Sequence, residues 1–364
     1  MNAPFPYFGG KSQAAPIVWP RLGDPLNFVE PFAGSLAILL KRPEWNWQRG
    51  TWADGNLREE ICNDSDGLLS NAWRAIQLRP TDVAQYTSWI VSECDLTARH
   101  IWLINHRDDI TLRLMGDPEW CDVKAAGWWL WGIACWIGSG WCAGTGCWNT
   151  DGEKIVNIRT PGDTRCGVNK QLVRLGAGAM VGINKKRVHL GDTRCGVNKK
   201  RVHMNAAGQG GQCDISLAGI TDWMVALSHR LRRVSICCGD WSRVCGNALM
   251  GVHRSSPVGV FLDPPYADTA SRTYGLYAHD SLTVAHDVQE WCIAYGDDPR
   301  YRICLAGYDG EHDMPDTWEC VDNTACRGYG YGGQSRNGYA NAGRERLWFN
   351  KSCLSPVKNQ GVLF

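Results

Sequence analysis

Short apolar runs alternate with stretches of helical spacing along most of the chain. The runs predict strands at residues 27–30, 60–63, 234–238, 258–262, 302–306 and 347–350. Apolar residues at helical spacing occur at 36–40, 68–77 and 220–232. Strands that alternate with helices are typical of a parallel sheet with crossover helices. The pattern therefore predicts an α/β fold with a Rossmann-like sheet.

The middle of the chain departs from this alternation. Residues 80–140 are mostly helical in spacing, and the tryptophan-rich run AAGWWLWGIACWIG at 125–138 is too short to span a bilayer. We expect these helices to lie outside the sheet, with 125–138 buried. A glycine-rich stretch at 138–146 precedes an abrupt change of composition, and a linker-like AAGQGGQ at 206–212 ends that segment. The chain thus divides into residues 1–79, 80–212 and 213–364, of which the first and last share the sheet.

The inserted segment repeats itself. The sequence GDTRCGVNK occurs at 162–170 and again at 191–199, and a shorter unit begins three times, at Gly167, Gly182 and Gly196. Each copy joins a Gly/Asn turn signal to a short alternating run, which favours small hairpins or loops stacked side by side. A duplicated loop without a role is the alternative.

The repeats also concentrate positive charge. The whole chain has a formal net charge of +1, but residues 151–205 contain 12 Lys and Arg against 4 Asp and Glu, which leaves −7 on the remainder. Clustered cations favour a polyanionic partner such as DNA, although a solvated basic loop stays possible. The candidate phosphate contacts are Arg165, Lys185, Lys186, Arg187, Arg194, Lys199, Lys200 and Arg201.

The 17 cysteines include no C-x-x-C pair, and no leader sequence is evident. Free thiols in a chain of this kind favour a reducing cytoplasm. The spacing of Cys142 and Cys147 is wide for zinc and lacks a second pair of ligands. We therefore expect no metal and no membrane span.

The sharpest chemical signal is VGVFLDPPY at 258–266, an apolar strand followed at once by an acid, two prolines and an aromatic residue. Prolines neither donate to a sheet nor continue a helix, so DPPY predicts a rigid loop at the strand's carboxyl end, where open α/β sheets bind ligands. The Asp263 carboxylate and the Pro264 carbonyl can accept from an exocyclic amino group, and Tyr266 can stack on a flat base. Two acceptors with no donor nearby would orient an amine. The predicted catalytic residues are Asp263, Pro264, Pro265 and Tyr266.

Acids also lie at the ends of other predicted strands. Asp64 is placed to accept both hydroxyls of a ribose, as acids do in dinucleotide-binding folds. Asp240 can accept an adenine amino group while Trp241 stacks on the ring. For Glu30 three roles stay open: binding a cofactor, holding Lys11, or capping the backbone of the turn that follows. Each acid alone is also compatible with a helix cap, and only their recurrence favours a ligand site.

Together these elements resemble the DNA adenine-N6 methyltransferases, the class that includes the bacterial and phage DNA adenine methylases. The similar motifs are YFGGK at 7–11, EPFAGS at 30–35, ND at 63–64, DW at 240–241, DPPY at 263–266 and RERLWF at 344–349. The resemblance covers nearly the whole chain outside the repeats and implies that S-adenosylmethionine is the cofactor. The cofactor-binding residues that it implies are Tyr7, Gly10, Lys11, Glu30, Pro31, Phe32, Ala33, Gly34, Ser35, Asp64, Asp240 and Trp241.

The motif order is similar to the family's alpha arrangement, which places a target-recognition region between a cofactor-binding half and a catalytic half. Here residues 80–212 occupy that position. One departure is Leu36, where the family's cofactor turn usually has a second glycine. The resemblance implies methyl transfer to N6 of an adenine flipped out of double-stranded DNA.

Other functions stay open at this stage. The same loop could hold the amine of cytosine N4 or of an adenine in RNA, although Asp263 favours adenine because the cytosine enzymes tend to have serine there. A catalytically silent subunit that binds nucleic acid is a further alternative. The intact DPPY sequence argues against it.

Overall fold

A computed structural model of the chain describes residues 1–5, 7, 11–43, 45–46, 51–136, 141–142, 148–150, 155–157, 217–246, 256–265, 283–323 and 344–356. The basic repeats predicted at 162–205 lie outside these residues. Within the described part, the helices are α1 (Ala15–Leu22), α2 (Gly67–Leu78), α3 (Pro80–Thr87), α4 (Glu93–Gly116), α5 (Val123–Cys135), α6 (Leu217–Leu231) and α7 (Val284–Tyr295).

Eleven strands are formed by the described residues. They are β1 (Asn27–Glu30), β2 (Trp45–Asn46), β3 (Thr51–Trp52), β4 (Glu59–Asp64), β5 (Trp148–Thr150), β6 (Ile155–Asn157), β7 (Val234–Cys238), β8 (Val258–Leu262), β9 (Tyr301–Tyr308), β10 (Glu319–Asp322) and β11 (Glu345–Phe349). Two short pairs, β2 with β3 and β5 with β6, stand apart from the main sheet.

The main sheet has seven strands in the order β10-β11-β9-β8-β1-β4-β7. The pairs from β7 to β9 are parallel, and β11 runs antiparallel to both of its neighbours. Numbered along the chain, the first five strands follow the doubly wound order 3-2-1-4-5, which reverses direction between β1 and β8. Asn27 at the start of β1 pairs with Glu59 on one side and Val258 on the other.

The two faces of the sheet are covered unequally. Neighbouring strand residues point to opposite faces, so Phe28 and Phe261 pack with α1 to α6 whereas Val29 and Val260 pack with α7. The strand β8 is buried along its whole length, as expected for a parallel strand with both faces covered. The chain is thus an α/β protein with a mostly parallel central sheet.

The structure confirms the six predicted strands and the helices predicted at 68–77 and 220–232, with shifts of a few residues at some ends. The tryptophan-rich run forms the buried helix α5, which ends at Cys135, three residues before the predicted end. The helix predicted at 36–40 is wrong. Leu36 has a φ of +51°, which a right-handed helix does not allow, and only a 3-10 turn at Leu39–Lys41 follows. The helices α1 and α7 and the strands β2, β3, β5, β6 and β10 were not predicted.

In the part of the chain that the structure describes, no helix is both long enough and apolar enough to cross a membrane.

A buried ion network lies near the amino-terminal ends of β1 and β4. The Glu60 carboxylate accepts from Arg230 Nη2 at 2.8 Å and from Arg42 Nη1 at 3.0 Å. Arg42 also pairs with Asp24 at 2.6 Å. The ring of Trp52 lies 4.9 Å from the Arg230 guanidinium carbon and 5.0 Å from that of Arg42, within the range of cation–π attraction. The network holds the small β2–β3 pair against the sheet.

Replacing Glu60 with Gln is expected to lower the free energy of unfolding by about 3 kcal/mol at pH 7, because two buried guanidiniums lose their shared anion. Burial alone would raise the pKa of Glu60, but Arg230 and Arg42 hold it below its ordinary value of 4.5. The stabilisation is therefore present above that pH and lost as the pH falls below it.

Urea unfolding at a series of pH values measures both effects. The difference between wild type and Glu60→Gln should shrink as the pH is lowered from 5 towards 2. Glu290→Gln, on the exposed face of α7, is the control and should change the unfolding free energy by less than about 0.5 kcal/mol. A similar small change in Glu60→Gln would contradict the role given to the network.

Candidate active site

The carboxyl ends of the parallel strands meet at one edge of the sheet. Glu30 ends β1, Asp64 ends β4, and Asp263 follows β8 directly. Because β4 and β8 are the two neighbours of β1, Asp64 and Asp263 flank Glu30 where the strand order reverses. A reversal of this kind opens a crevice outside the strand ends, and open α/β sheets bind their ligands there. The structure therefore brings three of the predicted site acids to one edge of the sheet.

The loop after β8 is anchored by an ion pair. Lys11 Nζ lies 3.0 Å from Asp263 Oδ1, and the lysine side chain is only 4% exposed while that of Asp263 is 20% exposed. Pro264 is buried and Pro265 is partly buried, so the loop is fixed both by ring closure and by packing. The expectation of a loop without a donor nearby is thus wrong. A buried carboxylate needs a counter-charge, and Lys11 supplies it.

The charge state of Asp263 results from competing neighbours. Burial raises the pKa of Asp263, and Glu345 adds to the rise, whereas Lys11 opposes it by charge and by hydrogen bonding. Glu345 Oε1 lies 3.9 Å from Lys11 Nζ. Lys11 is therefore placed between two acids, of which Asp263 is the closer.

The turn after β1 is tight and built on backbone contacts. Leu36 N donates to Ala33 O at 2.7 Å, and Ala33 N donates to Asn63 O at 2.8 Å. Gly34 has a φ of +47°, and a Cβ at that position would meet the Tyr7 ring at 2.8 Å. Tyr7 thus packs on the turn, and only glycine fits both the dihedral angle and the ring.

Leu36 occupies the position where the resemblance leads one to expect glycine, and its backbone is in the left-handed region at φ +51°. That conformation costs about 1–2 kcal/mol for a side chain with a Cβ. The leucine side chain is fully buried in the main core, which offsets the cost. The turn therefore keeps a glycine-like backbone without the glycine.

Asp64 is held by the backbone of two loops. Its Oδ2 accepts from Gly34 N at 2.9 Å, and its Oδ1 accepts from Asp66 N at 2.9 Å. Desolvation by the surrounding protein raises the pKa of Asp64 to about 6, even though both N–H groups lower it. Each carboxylate oxygen has a further lone pair. The side chain is therefore fixed in place and still able to accept from a diol.

Glu30 is buried and serves the turn. Its Oε2 accepts from Leu39 N at 3.2 Å, and only 2% of the residue is exposed. Burial raises the pKa of Glu30 to about 8. Of the three roles left open, the observed contact is the one with backbone. At neutral pH this carboxyl is largely protonated.

At the end of β7, Asp240 caps a 3-10 turn and Trp241 begins it. The Asp240 carboxylate accepts from Ser242 N at 2.9 Å, and the residue is exposed. The Trp241 ring stacks on Phe32 with centroids 6.1 Å apart and an interplanar angle of 26°. Phe32 and Trp241 thus form an aromatic pair that joins the ends of β1 and β7 beside the crevice.

Asn63 is a residue of the site that the sequence did not predict. Its Nδ2 donates to Pro31 O at 3.2 Å and to Gly239 O at 3.0 Å, so it ties the ends of β1, β4 and β7 together. The indole of Trp73 donates to Gly34 O at 2.8 Å and supports the turn from α2. The sequence signal that could have identified Asn63 is its position directly before an acid at the end of a strand. No sequence signal indicated Trp73.

Among the remaining predicted residues, Ser35 lies in the turn and is partly buried. Several lie outside the described residues, and their roles stay predictions. These are Gly10, Tyr266, Arg165, Lys185, Lys186, Arg187, Arg194, Lys199, Lys200 and Arg201.

No family model matches the chain, and no curated protein is significantly similar to it.

The turn geometry predicts a large effect for a single methyl group. Gly34→Ala is expected to lower the free energy of unfolding by more than about 2 kcal/mol, because it combines an unfavourable φ with a clash against Tyr7. Gly55→Ala is the matched control, since Gly55 has a φ of +72° with nothing within 4 Å of the added Cβ. It should cost about 1 kcal/mol.

Chemical denaturation measures the free energy of unfolding of both variants. The additional loss of stability in Gly34→Ala, compared with Gly55→Ala, is the cost of the clash with Tyr7. Tyr7→Ala in the Gly34→Ala background should remove the cost of the clash and leave the cost of the unfavourable φ. Equal costs at Gly34 and Gly55 would show that Tyr7 does not pack on the turn.

Proposed function

We propose that the chain is an S-adenosylmethionine-dependent DNA methyltransferase that acts on N6 of adenine. The observation that supports this most strongly is the position of Asp263. It follows a buried strand directly, is fixed by two prolines and by Lys11, and lies where the strand order reverses. An acceptor held rigidly at such a crevice is suited to orient an amine.

The cofactor would occupy the part of the crevice between Asp64 and Asp263. Their strands lie one on each side of β1, and with neighbouring strands about 4.8 Å apart the two strand ends are about 10 Å apart. The oxygens of Asp64 are directed by backbone N–H groups and can accept from ribose hydroxyls. Phe32 is partly buried and offers aromatic surface beside the turn, with the buried Trp241 ring stacked on it.

The carboxyl edge of the sheet has more acidic than basic groups, which suits a cationic cofactor. Two acids, Asp263 and Glu345, lie near one base, Lys11, and Asp64 adds a further carboxylate. A sulfonium and an ammonium group would be attracted to this excess of acid. When bound, S-adenosylmethionine supplies an activated methyl group, so that the protein has only to align an amine and exclude water.

The DPPY loop would align that amine. The Asp263 carboxylate and the Pro264 carbonyl accept the two hydrogens of the amino group, which frees its lone pair from the ring and directs it at the methyl carbon. The methyl group that the bound cofactor supplies would form a bond to this nitrogen as its bond to sulfur breaks, the electron pair of that bond would stay on sulfur, and a nitrogen proton would leave to solvent. Tyr266 is proposed to stack on the base.

Adenine N6 lies inside a duplex, so the base must be flipped out before it reaches the loop, at a cost of a few kcal/mol. Phosphate contacts from the basic repeats would offset part of that cost. The 8 basic residues predicted there supply clustered cations, while the rest of the chain is acidic.

Incubation with labelled S-adenosylmethionine and DNA, followed by digestion to nucleosides and mass spectrometry, tests the function. N6-methyl-2'-deoxyadenosine from the DNA is expected. N4-methyl-2'-deoxycytidine, or N6-methyladenosine from RNA alone, would indicate a related enzyme, and no incorporation would indicate a binding subunit.

Asp263→Ala is expected to reduce methyl transfer by about 100- to 1000-fold, because the amine loses its charged acceptor. Calorimetry should still detect cofactor binding. Asp316→Asn, which removes an exposed acid from the loop before β10, should retain the wild-type rate. Full activity in Asp263→Ala would show that Asp263 takes no part in methyl transfer.

Replacing Lys185, Lys186, Lys199 and Lys200 together with Ala should weaken binding to DNA of any sequence. The slope of log K against log salt should fall by about three to four in magnitude if all of them contact phosphates. Fluorescence anisotropy over a series of salt concentrations measures the slope. An unchanged slope would support the alternative that the repeats are a duplicated loop without a role.

A further inference from the structure

Three charged side chains from separate parts of the chain meet beside the DPPY loop. Lys11 comes from the amino-terminal segment, Asp263 follows β8, and Glu345 begins β11. All three side chains are at most 20% exposed. The group has one cation for two acids, so the ammonium is shared.

The sharing creates a conflict with the proposed chemistry. Asp263 has to accept a substrate amine, yet its Oδ1 faces an ammonium at 3.0 Å. A charged donor at this distance forms a stronger hydrogen bond than a neutral amine does. If Lys11 stayed on Asp263 alone, it would compete with the substrate for the same carboxylate.

Glu345 is placed to resolve the conflict. It is fixed from the other side, because its Oε2 accepts from Asn323 Nδ2 at 3.0 Å and its main chain pairs with Tyr308 of β9. Its Oε1 lies 3.9 Å from Lys11 Nζ. A shift of about 1 Å would bring the ammonium to the 2.7–2.9 Å of a charged hydrogen bond.

We propose that Glu345 is a positioning residue that takes over Lys11 from Asp263 when the substrate amine binds. The inference rests on the proposed function and deepens it, since it assigns a role at the same site to a residue outside the DPPY loop. Lys11 then stabilises Asp263 in the free protein and releases it in the complex.

Other titratable groups also face this cluster. Glu30 of β1 and Cys304 of β9 interact with Asp263, and Tyr308 of β9 interacts with Glu345 and Lys11. Burial raises the pKa of all three of these groups. Glu30 and Cys304 are therefore largely neutral at pH 7, and so is Tyr308. Besides burial, which raises the pKa of Asp263, the charged groups that act on this pKa are Lys11, which lowers it, and Glu345, which raises it.

The first test uses the free protein. Carbon-detected NMR of the Asp263 carboxyl over a pH series should show a lower pKa in Glu345→Gln, because a like charge near Asp263 is lost. Lys11→Met should raise the same pKa. Asp322→Asn, which removes an acid that is 66% exposed and paired with Arg346, should not move it.

The second test measures the rate constant of methyl transfer in a single turnover. Glu345→Gln should slow it by about 10- to 100-fold, the loss expected when a reacting group is misplaced. The KM for DNA should be unchanged because most DNA affinity comes from phosphate contacts. Asp322→Asn should keep the wild-type rate constant.

An Asp263 pKa that is unmoved or raised in Glu345→Gln would overturn the proposal, and so would an unchanged transfer rate. A wild-type chain that transfers no methyl group would overturn both the proposed function and the role of Glu345. If the wild type is active and Glu345→Gln is equally active, only the role of Glu345 is overturned. Thermal unfolding confirms that the variant is folded. If it is not, Glu345→Asp, which keeps the charge farther from Lys11, should show the same two changes with smaller size.

Discussion

The Lys11–Asp263 ion pair is the interaction on which the candidate site depends. Burying a carboxylate at a strand end is unfavourable unless a cation compensates it, and a catalytic acceptor is useful only if it is ionised and oriented. Lys11 orients the side chain at 3.0 Å and opposes the rise in the Asp263 pKa that burial causes, but it also occupies one oxygen of the acid that it stabilises.

Neighbouring acids at the same edge are given different properties by their surroundings. Glu30 is sealed under the turn, and burial raises its pKa to about 8. Asp64 is also buried, and burial raises its pKa to about 6 although backbone N–H groups oppose the rise. Burial raises the pKa of Asp263 as well, and Lys11 opposes that rise. The three carboxyls therefore differ in the groups that hold them, which are the backbone of the turn for Glu30, two backbone N–H groups for Asp64 and the Lys11 ammonium for Asp263.

The sequence was most informative where a signal was local. Apolar runs located β1, β7 and β8 to the residue, and the acids at their ends were found with them. Contacts between distant parts of the chain were not predictable: nothing in YFGGK or RERLWF indicated that Lys11 and Glu345 would share a cluster. Leu36 shows a third case, because a buried leucine in the left-handed region looks in sequence like the start of a helix.

The central idea is that one crevice, between Asp64 and Asp263, holds a sulfonium nucleoside next to the amine acceptor. A crystal structure of the chain with S-adenosylhomocysteine tests it most directly. The ribose should contact Asp64, the adenine should lie near Trp241, and the sulfur should be directed towards Asp263. A nucleoside bound away from this edge of the sheet, or no binding at millimolar concentration, would contradict it.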